Sequence, residues 1–112
     1  MNEYRPDRWV VVKIKGENLP TVHKVFASWY GGYAGSDSWK LNSGIVSVTQ
    51  DSTYYYFEGS SGSVYECSKH SSYGTNGYGA GVLNNLIDKV MKAGGAIEVL
   101  PEDTNWMEVD YE

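Results

Sequence analysis

The chain of 112 residues fits one domain and is too short for two separate cores. Hydrophobic residues make up 41% and charged residues 21%, too apolar a balance for a disordered chain, and glycine (13) and tyrosine (10) are both abundant. The formal charge of −5 is uneven: residues 1–56 carry six basic against five acidic groups, and residues 57–112 three against nine, so long nucleic acid is a poor partner.

In chain order, Trp9–Lys15 alternates Val10, Val12 and Ile14 with Trp9, Val11, Lys13 and Lys15, the period of a half-buried strand. Gly16 to Pro20 carries turn chemistry, and Val22–Trp29 resumes an extended pattern, so the two form a hairpin. A Gly/Ser-rich loop leads to a short strand at Trp39-Lys40-Leu41. Gly44 marks a bulge or break before a strand at Ile45–Gln50. Asp51-Ser52 turns into Thr53–Glu58, whose tyrosines and Phe57 favour strand. Gly59 to Gly62 is a second turn before Val64–Cys67.

From about Tyr78 to Ala93 the pattern changes to that of a helix. Val82, Leu83, Leu86, Ile87, Val90 and Met91 form a wide apolar stripe opposite Asn84, Asn85, Asp88, Lys89 and Lys92. Gly94-Gly95 supplies a left-handed stop, and Ala96–Leu100 reads as a last strand ended by Pro101. The expected fold is a single α+β domain over 1–112: an antiparallel sheet of five to six strands with one C-terminal amphipathic helix packed on a face.

One helix cannot cover both faces of such a sheet. Trp9 and Val11, with Tyr54 and Tyr56 on another strand, are expected to remain exposed as an aromatic patch, which points to a homo-oligomer, a dimer or tetramer. The acidic tail 102–112 has two readings. It is a solvated end, or its alternating Trp106, Met107, Val109 and Tyr111 dock it as an edge strand, on this chain or a neighbouring one.

Catalytic candidates are few. His23 reads as an ordinary sheet residue, and Cys67 with His70 lacks the further ligands a zinc site needs. No Gly-x-Ser-x-Gly elbow, Walker-type loop or dinucleotide fingerprint occurs. No enzyme activity, catalytic residue, cofactor or metal is therefore expected. The single cysteine leaves no disulfide framework and points to a reducing compartment such as cytoplasm. With no long apolar run and no cationic start leading into one, neither membrane nor secretion is expected.

Ligand binding is better supported. Trp29, Tyr30, Tyr33 and Trp39 concentrate aromatic faces beside Lys40 and Asn42, and Arg5 and Arg8 lie upstream. A nucleobase needs an aromatic plane and an amide for its edge, and phosphate needs cations. The competing reading makes either tryptophan core and the glycines mere turns. Ser72, Tyr73, Thr75, Asn76 and Tyr78 belong to a glycine-rich run leading into the helix, where free N–H groups and the dipole would favour a phosphate.

Five strings carry a family resemblance: Tyr4 to Lys13, Ser28 to Tyr33, Ser38 to Gly44, Gly62 to Tyr65 and Pro101 to Trp106. On these the chain resembles small phage proteins, the anti-CBASS sponges. The resemblance implies a homo-oligomer in the cytoplasm of the infected bacterial host cell. It would bind a small cyclic nucleotide such as 3′,3′-cGAMP and withhold it from host effectors without cleaving it. A sponge for cyclic ADP-ribose isomers, an enzyme hydrolysing such signals, and a protein–protein inhibitor of a host factor are the alternatives.

Overall fold

The computed structural model describes residues 3–32 and 35–111. The chain is α+β, with β1 (Glu3–Tyr4), β2 (Arg8–Lys15), β3 (Val22–Trp29), β4 (Ser38–Leu41), β5 (Ile45–Gln50), β6 (Tyr54–Gly59), β7 (Val64–Ser68), α1 (Gly77–Lys92) and β8 (Ala96–Val99). These strands form two four-stranded sheets instead of one, in the orders β1-β7-β6-β5 and β4-β3-β2-β8. Every pairing is antiparallel except β1 with β7. The expected β2–β3 hairpin is present, and the register shift near Gly44 falls between Ile45 and Ser47. Among the described residues no helix is long and apolar enough to cross a membrane.

The layers follow from β2. Trp9-Val10-Val11-Val12 is an unbroken apolar run, as expected of a strand covered on both faces. Trp9 and Val11, with Val25 and Ala27 of β3, pack against Ile45, Phe57, Tyr65 and Cys67 of the other sheet. Val10, Val12 and Phe26 face the opposite way, onto Leu83 and the partly buried Val82, Leu86 and Ile87 of α1. The order is therefore sheet, sheet, helix. The exposed patch expected from Trp9 and Val11 does not exist, because the second sheet covers them; only Tyr54 and Tyr56 remain half-exposed on the outer face.

Helix α1 begins at the cap Asn76, whose side-chain oxygen accepts the Gly79 N–H at 2.6 Å. It ends where Gly94 turns left-handed (φ +91), with Lys89 and Lys92 in its last turn. The tail forms turns, not an edge strand, and docks on its own chain. Trp106 is 2% exposed and meets the rings of Trp9, Phe57 and Tyr73 at centroid distances of 5.7, 6.1 and 5.8 Å.

Candidate functional site

Antiparallel register determines which candidate residues share a face. Arg8 opposes Ser28 and Ser28 opposes Trp39, so these three side chains form a row on the helix-facing side of the central sheet. The next row holds Phe26 and Leu41. Trp39 stacks its indole on the buried Phe26 ring, at 5.5 Å between centroids and 12° between planes. One face of the indole is thereby backed by the core, and the residue stays 37% exposed on the edge strand β4.

Helix α1 starts directly above this row. A Cβ on Gly79 would stand 2.7 Å from Ser28 Oγ and 3.4 Å from Phe26 Cε1, so glycine is what permits the approach. Asn76 clamps the junction: its Oδ1 caps Gly79 and its Nδ2 donates to the Trp29 carbonyl at 3.0 Å. The Ser28 hydroxyl beneath is buried and has no hydrogen-bond partner. Tyr78 projects outward from the first turn, and Tyr30, just past Trp29, is exposed at the same end of β3.

Arg8 closes the other side. Its guanidinium donates to the carbonyls of Tyr73 at 3.2 Å and Ser71 at 3.4 Å, and its Nε is buried without a partner. Gly74, at φ +139, passes so close that a Cβ would lie 2.6 Å from Arg8 Nη2. The loop before α1 is thus held by a cation from β2 and by backbone bonds between Trp9, Ser72 and Gly74. The Ser72 hydroxyl donates to the His70 carbonyl, and Thr75 is half-buried.

Other candidates are placed elsewhere. Tyr73 donates its hydroxyl proton to the Leu100 carbonyl at 2.5 Å and accepts the Val11 N–H at 3.2 Å; burial pushes its phenol up to about 12. Asn42 is buried and accepts the Val25 N–H at 2.9 Å, so its amide completes the sheet edge and is walled off from solvent. Trp29 donates its indole N–H to the Arg5 carbonyl at 2.9 Å. Arg5 itself lies on the outer face of the far sheet, paired with Glu66 at 3.1 Å and set 4.6 Å over the Tyr54 ring. Lys40 alternates to the face opposite Trp39, its ammonium 5.0 Å over Tyr4. Tyr33 lies outside the described residues.

The fold therefore brings Arg8, Trp39, Asn76, Tyr78 and Tyr30 to one end of the helix layer, and separates from them Arg5, Lys40 and Asn42. Ser28 and Phe26 were not among the expected site residues. The signal for them was present in the strand alternation, which puts Phe26 and Ser28 on one face and Ala27 on the other.

Three other groups with shifted titration, Cys67, His23 and Asp51, lie away from this end. The Cys67 thiol is enclosed and pushed well up by burial, which removes thiolate character. His23 is lowered by burial and then by Lys13, with Asp110 opposing, and its ring meets Tyr111 edge-on at 5.4 Å. Asp51 is held at about 2 by the Tyr56 hydroxyl and the N–H groups of Tyr54 and Thr53. Among the described residues no three His, Cys, Asp or Glu side chains cluster as metal ligands.

A concavity of about 330 Å³ lies at the other end of α1, between the β2–β3 turn and the helix C-terminus. None of the expected ligand residues lines it. Its walls are apolar, whereas cation, exposed indole and helix N-terminus converge around Trp39, so chemistry favours the Trp39 end for a charged aromatic ligand. Comparison with protein-family models, curated proteins and solved structures finds no significant match to this chain.

Proposed function

We propose that this protein binds and withholds a cyclic nucleotide, 3′,3′-cGAMP or a related cyclic dinucleotide, without transforming it. The observation that carries the reading is the Phe26–Trp39 stack. It holds an indole rigidly at a sheet edge with its outer face open beside the start of a 16-residue helix. A base stacks there on a platform that is already ordered, which avoids the entropy of arresting a free side chain. A phosphate next to it meets the positive end of α1, the N–H groups of Gly77 and Tyr78 that precede the capped Gly79, and the charge of Arg8.

Binding without turnover is in keeping with the burial of Cys67 and His23 in the packed interior, and it requires that His70, exposed in the loop before α1, be dispensable. The choice of a cyclic dinucleotide rests on the resemblance to the anti-CBASS sponges. A ligand with two bases and two phosphates exceeds what one Trp39 offers, so the reading includes a homo-oligomer that presents two such ends.

The test is calorimetric titration with 3′,3′-cGAMP, with a cyclic ADP-ribose isomer as competitor. Tight binding is expected, with intact ligand recovered after heat denaturation. Trp39→Ala should weaken binding by about 1–3 kcal/mol, roughly 5- to 150-fold, without altering the fold. Unchanged affinity in Trp39→Ala, or recovery of only linear products, overturns the proposal.

A further inference from the structure

The end of the molecule remote from Trp39 carries a groove and a projection side by side. The groove, about 330 Å³, is walled by Ile14, Pro20, Val22, Val90 and Ala93. That volume is at the small end for a ligand pocket, and among the described residues the charged ones lining it are Lys15 and Glu17, of opposite sign. At its rim stands Leu19, 69% exposed. Leu19 is held in position: its N–H bonds the Gly16 carbonyl at 3.4 Å, Asn18 before it takes a left-handed φ of 60°, and its Cδ1 lies 2.9 Å from where a Gly16 Cβ would be.

Two glycines give the groove its shape. A Cβ on Gly95 would meet the Lys15 carbonyl at 2.4 Å and Val90 Cγ1 at 2.9 Å, so glycine alone lets the helix end close on β2. Left-handed Gly94 lies under Glu17, whose Oε2 would be 3.1 Å from a Cβ there. Glu17 thus stands by the negative end of the helix dipole, a position that favours a cation. Among the described residues neither Lys15 nor Glu17 is in an ion pair such as Arg5–Glu66 or Lys92–Asp88.

We propose that this face is the interface between two copies of the chain, each seating its Leu19 in the other's groove about a two-fold axis. An isologous contact needs one self-complementary patch, and here the projection and the recess share a rim. The charges are self-complementary too. Across the axis Lys15 of each copy meets Glu17 of the other, supplying the cation that Glu17 lacks at the helix end. This interface uses no residue of the Trp39 end, so it is distinct from the contact that would bring two Trp39 ends onto one ligand, and it is measured without ligand.

Analytical ultracentrifugation from low micromolar to near-millimolar protein provides the test. The wild type is expected at twice the 12.5 kDa chain mass, and Leu19→Asp at the chain mass with an unchanged circular dichroism spectrum. Lys15→Glu and Glu17→Lys should each self-associate roughly tenfold or more weakly, and an equimolar mixture of the two should recover a dimer containing one of each. A monomeric wild type, a Leu19→Asp variant that still dimerises, or two folded charge variants that fail to recombine would each overturn the proposal.

Discussion

Replacing Trp106 with alanine separates a tail that is part of the core from one that merely ends the chain. The indole is 2% exposed and touches Trp9, Phe57 and Tyr73, which come from β2, β6 and the loop before α1. Its removal leaves a void bounded by three other rings, two of them anchored by hydrogen bonds: Trp9 donates its indole N–H to the Ser68 carbonyl at 2.9 Å, and Tyr73 bridges Val11 and Leu100. Such a site collapses poorly, so the cost should be near the usual range for losing a buried large aromatic, about 3–5 kcal/mol. Against a typical total of about 5–15 kcal/mol, that is at least about a fifth of the stability and, for a marginal domain, most of it. Equilibrium urea unfolding followed by far-ultraviolet circular dichroism gives the difference directly, provided the slope is unchanged. Trp106→Phe should recover part of the loss. A cost for Trp106→Ala below about 1 kcal/mol, the level of an ordinary surface change, would refute the placement of the tail in the core.

Two further outcomes follow from the interior. His23 is 5% exposed and its Nδ1 has no partner, so the folded form favours the neutral ring and the folded pKa lies below 6.5. The unfolded chain then takes up the proton first: stability contributed by His23 is complete above about 6.5 and is lost as pH falls from there toward the lowered folded value. Urea midpoints between pH 8 and pH 5.5 should show this step in the wild type and not in His23→Gln; parallel profiles would remove His23 as the cause. In α1, Gly81→Ala should stabilise by about 0.5–1 kcal/mol, since nothing lies within 4 Å of its Cβ position, whereas Gly79→Ala should destabilise because its Cβ would press on Ser28 Oγ at 2.7 Å. Equal effects of the two changes on the melting temperature would refute the close approach of helix and sheet.

Most elements were legible because each has a local cause. Alternation, turn glycines and the switch to helical periodicity at Val82 place β2 to β8 and α1 within a residue or two. The two-residue strand β1 was not legible, because Glu3 and Tyr4 have no pattern of their own and are extended by pairing with Val64 and Tyr65. Of the candidate site, the aromatic and cationic residues were recognisable as types, but their grouping was not. Arg5 and Arg8 are three residues apart in the chain and lie on opposite sides of the molecule, because the chain crosses from one sheet to the other between them.

The sequence by itself determined the helix, the strands other than β1, the C-terminal stop of α1 and the chemical character of each loop, since these depend on steric and periodic preferences within a few residues. Tertiary structure alone decided that the strands divide into two sheets, that Trp9 and Val11 are covered, that Trp106 belongs to the core, and that Arg5 and Arg8 are separated. Each of those outcomes depends on which surfaces meet across long sequence separations, where apolar area removed from water has no preferred partner until the whole chain closes on itself.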